Sequence, residues 1–168
     1  MTDERVPRTG GEPTTYNILF VCSGNTCRSP MAEGIAARAL EERGWGHVAV
    51  ASAGIAALRG GAAAGHAVEA AGEAGIDIAG HASTPLTHDL LDWADLVLAM
   101  SPSQLSAVVD SGYGDKIALV TDFMEGELAG QAIVDPFGGD LDEYRATFAQ
   151  LRAAIESVLG KLEPILSP

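Results

Sequence analysis

At 168 residues and 47% hydrophobic content, the chain is long enough for one domain with a real core and too apolar to stay disordered. A formal net charge of -13 leaves it without the clustered Lys and Arg that counterion release on a nucleic acid requires. Two cysteines cannot build a secreted disulfide framework, no apolar stretch reaches membrane-span length, and the opening MTDERVPRTGGEPTTY lacks an apolar signal core, so a cytoplasmic protein without nucleic-acid or membrane partners is expected.

Residues 1–16 mix Pro, Gly, Thr and charge without apolar periodicity and are expected to form a mobile tail, with the domain running from 17 to 168. NILFVC (17–22) is predicted as a strand, PMAEGIAARALEERG (30–44) as a helix, HVAVASAG (47–54) as a strand and GHAVEAAGEAG (65–75) as a helix. THDLLDWA (87–94) follows as a short helix, DLVLAM (95–100) as a buried strand, PSQLSAVVDSG (102–112) as a helix and KIALV (116–120) as a strand. LDEYRATFAQLRAAIESVLGKLE (141–163) closes the chain as a long amphipathic helix. Strands alternating with helices predict an α/β fold in which a parallel sheet is covered by helices on both faces.

In such a sheet, ligands bind beyond the carboxyl ends of the strands. Both cysteines, Cys22 and Cys27, fall in the turn CSGNTCRSP that leaves the first strand. Gly24 is expected to supply unusual backbone angles there, and Pro30 suits the first turn of the following helix. Backbone N–H groups curling around a centre, backed by a helix N-terminus, make an anion site. Arg28 adds a planar fork that matches two phosphate oxygens, and the same positive surroundings favour the thiolate of Cys22. The alternative of a zinc pair fails for want of ligands, because His47, His66, His81 and His88 show no paired spacing with the cysteines or each other. The carboxylates Glu41, Glu42, Asp140, Asp142 and Glu143 read as solvated surface.

The segment CSGNTCRSP contains C-x5-R-S and resembles the signature of the low-molecular-weight protein tyrosine phosphatase family. The likeness extends through SAG (52–54), GHAVEA (65–70), STPLT (83–87), ADLVLAM (94–100) and DPFGG (135–139). CSGNTCRSPMAE with DPFGGDLDEY is most similar to the bacterial members that act as protein arginine phosphatases. The resemblance implies a single domain with an open four-stranded parallel sheet. It also implies Cys22 as nucleophile through a phosphocysteine, Arg28 as phosphate clamp and Asp135 as general acid, with no cofactor and no metal. Ser23, Gly24, Asn25, Thr26, Cys27, Arg28 and Ser29 match the phosphate-binding loop. Asn25, Ser29, Ser52 and His81 match positions that support that loop, and Pro136 would stiffen the segment carrying Asp135.

Three enzymatic readings share this scaffold. Phosphorylated proteins are the expected substrates, with phosphoarginine favoured because Thr26 stands where tyrosine-specific relatives commonly carry a bulkier aliphatic residue; Phe137 is a second candidate for selectivity. Phosphotyrosine hydrolysis is the alternative. Arsenate reduction would need an external thiol, since the chain has no cysteines outside the loop. A non-catalytic anion-binding module would need neither Cys22 nor Asp135. Oxidation of Cys22 to a sulfenic acid leaves Cys27 as the sole thiol able to condense with it, and relatives suggest such a reversible disulfide.

Overall fold

The structure, a computed structural model, describes residues 15–167. Fourteen residues of the expected N-terminal tail, 1–14, lie outside it. Chain order is β1 (Tyr16–Cys22), α1 (Arg28–Arg43), β2 (Val48–Gly54), α2 (Gly65–Glu73), α3 (His88–Trp93), β3 (Leu96–Ala99), α4 (Pro102–Asp110), β4 (Ile117–Leu119) and α5 (Leu141–Leu166), with a short 3-10 turn at Val120–Phe123. The four strands lie in the order β2-β1-β3-β4, and each pairing is parallel. The predicted architecture is therefore the one observed.

Period-two alternation along β1 explains why both faces are covered. Ile18, Phe20 and Cys22 enter a core with residues of α1, α2 and α5, including Met31, Ala67, Leu151 and Ile155. Leu19 and Val21 enter a second core with Leu90 and Leu91 of α3 and Val108 of α4. The strand is buried on both sides and so reads as a continuous apolar run.

Helix boundaries moved where local chemistry outweighed pattern. Helix α1 begins at Arg28, two residues before the predicted Pro30, so the cation sits in its first turn. It ends where Gly44 takes a φ of 73° and the Trp45 N–H returns to the Leu40 carbonyl. Helix α5 was expected to stop before Pro164 and continues to Leu166, which is buried and whose carbonyl accepts from His47 Nε2 at 2.6 Å. That tertiary anchor holds the last turn despite the missing proline N–H. At its start, Asp140 accepts from the Glu143 N–H at 2.9 Å, so this carboxylate is a helix cap rather than mere solvated surface.

The register brings the functional segments together. Cys22 pairs with Gly54 at the carboxyl ends of β1 and β2. The segment between the 3-10 turn and α5 returns to the same edge, because the Ile133 N–H donates to the Met100 carbonyl just past β3 at 2.8 Å.

Candidate active site

The loop from Cys22 to Arg28 is fixed by backbone and side-chain bonds to four neighbouring segments. Ile55 and Ala56 N–H groups donate to the Cys22 and Ser23 carbonyls at 3.0 and 2.9 Å, and the Ala64 N–H donates to the Thr26 carbonyl at 2.9 Å. Gly54 must lack a side chain, since a Cβ there would lie 2.5 Å from the Ser23 carbonyl oxygen and 3.0 Å from the Asn25 nitrogen. The left-handed residue of the loop is Asn25, with a φ of 57°, and Gly24 is not among the positive-φ positions. The expectation that Gly24 supplies the unusual angle is thus corrected: asparagine tolerates that region when its side chain is tied down. Gly24 instead lines the cavity, where the absent side chain leaves room.

Asn25 is fully buried and every polar atom of its side chain is used. Its Oδ1 accepts from the Thr84 N–H at 2.9 Å, which orients the amide. Its Nδ2 then donates to Ser29 Oγ at 2.7 Å and to Ser52 Oγ at 2.9 Å. Ser52 in turn donates to Glu33 Oε1 at 2.6 Å. Ser29 Oγ, which accepts from Asn25, lies 2.9 Å from Cys22 Sγ, where its proton is available to a Cys22 thiolate. The Asn25 N–H also donates to that sulfur at 3.3 Å. His81 donates from Nε2 to the Asn25 carbonyl at 2.7 Å. The structure therefore brings Asn25, Ser29, Ser52 and His81 into one network behind Cys22, where two donors converge on the sulfur.

Arg28 is 5% exposed and ties this loop to the segment carrying Asp135. One Nη donates to the Ile133 carbonyl at 3.0 Å, and the other lies 3.6 Å from Asp135 Oδ2. Asp135 Oδ1 accepts from the Phe137 N–H at 3.1 Å, the turn expected of Asp before Pro136. About half of the Asp135 side chain stays exposed. Cys22, Gly24, Thr26, Cys27, Arg28, Asp135 and Phe137 line one cavity of about 200 Å3. Of the expected loop residues, Ser23, Asn25 and Ser29 turn their side chains away from it and hold the loop from behind.

Four residues that pattern reading did not single out complete the arrangement. Glu33 on α1 is the end of the Asn25–Ser52 chain; burial pushes its carboxyl up, opposed by the Ser52 hydrogen bond and by His81. Gln104 on α4 is buried and donates to Ser23 Oγ at 3.1 Å while accepting from Ser101 Oγ at 2.8 Å. Ser83 donates to the Leu58 carbonyl and accepts from the Gly61 N–H at 2.8 Å, bracing the loop that crosses over Thr26. Tyr144 on α5 places its hydroxyl 3.3 Å from Cys27 Sγ. Burial pushes the Cys27 thiol up, while hydrogen bonds from Tyr144 and Thr26 oppose it. The one local signal was that Glu33 lies four residues after Ser29, hence on the same helix face.

Residues 17–165 match the model of the family described as low molecular weight phosphotyrosine protein phosphatase. The chain is 40% identical over 149 residues to a protein-arginine-phosphatase of Bacillus subtilis, covering 88% of this chain and 97% of that one. It is 34% identical over 148 residues to a probable low molecular weight protein-tyrosine-phosphatase of Ralstonia solanacearum, covering 88% and 97%. Among solved structures, a YwlE arginine phosphatase mutant with a phosphorylated active site serine superposes with a TM-score of 0.83 at 38% identity, covering 89% of this chain and 97% of that chain. A low molecular weight protein tyrosine phosphatase from T. tengcongensis superposes with a TM-score of 0.82 at 39% identity, covering 88% and 100%.

Proposed function

Because the chain belongs to the low molecular weight phosphotyrosine protein phosphatase family, we propose that Cys22, Arg28 and Asp135 hydrolyse phosphorylated protein side chains, phosphoarginine foremost, through a phosphocysteine. The observation that carries this reading is the convergence of a doubly hydrogen-bonded thiol, a buried guanidinium and a half-exposed carboxylate on one small cavity.

The Cys22 thiolate attacks phosphorus while Arg28 and the loop N–H groups hold the equatorial oxygens. The bond to the leaving nitrogen or oxygen breaks, and Asp135 supplies its proton. Asp135 then takes a proton from water, which attacks the phosphocysteine and releases inorganic phosphate and the thiolate. Ser29 and the Asn25 N–H stabilise the sulfur as it departs, which favours the second displacement. The phosphorylated active site serine of the YwlE mutant is consistent with phosphoryl transfer to a side chain at this position. No group beyond these residues is required, and a reducing cytoplasm keeps both cysteines as thiols.

Phosphoarginine is favoured because Thr26 lines the cavity and offers an acceptor to a guanidinium, whose N–H groups are costly to bury unpaired. Protein-arginine-phosphatases of two organisms stand among the relatives at 40% identity. Phe137, 75% exposed at the cavity margin, would equally suit a tyrosine ring and keeps phosphotyrosine as the second reading. Thr26→Ile separates them. It removes the acceptor and adds apolar bulk, so kcat/KM for a phosphoarginine peptide should fall at least about tenfold, the equivalent of 1.4 kcal/mol. Turnover of a phosphotyrosine peptide should stay equal or rise. A wild type that prefers phosphotyrosine, or a variant that loses both substrates together, assigns the enzyme to tyrosine. Cys27, on the same cavity wall, is the partner for a reversible disulfide with Cys22.

A further inference from the structure

Tyr144 is the buried residue near the cavity whose chemistry the hydrolytic cycle leaves unused. It stands on the first turn of α5, and its hydroxyl reaches Cys27 Sγ across 117 residues of sequence. The His66 ring packs edge-on against it with centroids 5.6 Å apart, which fixes the ring plane. One turn further, Thr147 Oγ1 donates to the Val134 carbonyl, so the same helix also reaches the Asp135 segment. Tyr144 is absent from the cavity lining and touches none of Cys22, Arg28 or Asp135 by a hydrogen bond.

We propose that Tyr144 is a positioning residue for oxidative protection of the nucleophile: its hydroxyl donates to Cys27 Sγ and holds that thiol ready to condense with a Cys22 sulfenic acid. The inference rests on the reading of Cys22 as the nucleophile and Cys27 as its redox partner. Hydrogen peroxide oxidises the Cys22 thiolate; the O–O bond breaks, sulfur gains one oxygen and hydroxide leaves. Cys27 then gives up its proton and its sulfur attacks that of Cys22. The S–S bond forms, the S–O bond breaks, and the departing hydroxide takes the proton as water. Burial works against the Cys27 thiolate that this second step needs, and the phenol, at 3.3 Å against 3.8 Å for the Thr26 hydroxyl, is the nearer of the two groups that oppose burial. Removing it leaves the sulfenic acid waiting, open to a second peroxide and irreversible oxidation.

The test is Tyr144→Phe, which keeps the packed ring and deletes the donor. Aryl phosphate turnover before treatment should match wild type, as should the rate of inactivation by hydrogen peroxide, since both begin at Cys22. Recovery by dithiothreitol should differ. The thiolate lost at Cys27 is partly offset by the greater intrinsic nucleophilicity of a more basic sulfur, so disulfide closure should slow by about threefold for each tenfold of thiolate lost. The unrecovered fraction, compared with Cys27→Ala as the limit without any partner, should carry two added oxygens on the Cys22 peptide by mass spectrometry. In a Cys22→Ser background, alkylation of Cys27 by iodoacetamide should slow by a similar factor, whereas simple loosening of the fold would speed it.

Recovery of Tyr144→Phe equal to wild type, or faster alkylation of its Cys27, overturns the role of the hydroxyl. A wild type that peroxide inactivates beyond rescue by dithiothreitol overturns the disulfide itself. Absence of any phosphatase activity in the wild type would instead count against the catalytic reading, and the alkylation measurement would still decide whether Tyr144 activates Cys27.

Discussion

Asn25 offers the sharpest separation between what holds the loop and what performs the chemistry. Asn25→Ala deletes three side-chain bonds, leaving the Thr84 N–H without its acceptor and the Ser29 and Ser52 oxygens without their donor. An orphaned donor costs about 1–3 kcal/mol, and alanine at a φ of 57° adds about 1–2 kcal/mol. The expected destabilisation is therefore about 2–5 kcal/mol, read by urea unfolding, with each kcal/mol moving Tm by about 2–4 °C in a domain of this size. Asn25→Gly suffers the first loss but not the second, and its extra unfolded-chain entropy costs about 0.5–1 kcal/mol. Glycine should thus be the less damaged variant, by up to about 1.5 kcal/mol. Activity should not follow that ranking. Both variants free Ser29 to turn its proton away from Cys22, and a hydrogen bond to a charged group is worth about 1.5–3 kcal/mol. Both should lose about tenfold to a hundredfold in kcat on a generic aryl phosphate, whatever their stability. Were Asn25→Gly to keep kcat within about twofold of wild type, the orientation of Ser29 would not depend on the amide and the network would be a stability device alone.

Two further substitutions, Gly54→Ala and Glu33→Gln, probe the neighbours of that network, with Gly46→Ala as a control. Gly54→Ala drives a methyl group into the Ser23 carbonyl and the Asn25 nitrogen, so it should cost about 1–3 kcal/mol and lower kcat by displacing the loop. Gly46→Ala, where a Cβ meets nothing, should stay within about 0.5 kcal/mol of wild type by the same urea titration; equal effects at both sites would show that crowding at Gly54 is relieved without moving the loop. Glu33 binds its proton more tightly folded than unfolded, because burial raises its carboxyl. The stability it lends is thus present below the ordinary carboxylate value and lost as pH rises through the raised one. Glu33→Gln keeps an acceptor for Ser52 and should flatten the decline of the urea midpoint with pH across that window; an unchanged slope would assign the decline to other carboxylates.

The parts of the fold and site that were legible in the sequence are those whose physics is local or periodic. Buried parallel strands announce themselves as apolar runs, and a strand that breaks into Cys, Gly and Arg before a helix announces an anion site, because one short turn carries both donors and nucleophile. Family resemblance extended this to Asp135, Ser52 and His81, which spacing alone could not attach to Cys22. What stayed hidden depends on register. Gly54 is forced to be glycine only because β2 pairs beside β1 with Gly54 opposite Cys22, and no propensity scale contains that constraint. The left-handed angle fell on Asn25 rather than Gly24 for a related reason: an asparagine whose amide oxygen and nitrogen make three hydrogen bonds is held at φ above zero more firmly than a free glycine, while a glycine facing the cavity leaves space that any side chain would take. Gln104 and Tyr144 were invisible for the same cause, at 81 and 117 residues from the atoms they touch. Both are residues that propensity treats as ordinary helix members, and each faces a loop residue only once α4 and α5 have docked on opposite sides of the sheet. The loop is thus met from both layers, by Gln104 at Ser23 and by Tyr144 at Cys27, with the nucleophile Cys22 immediately before them at the end of β1.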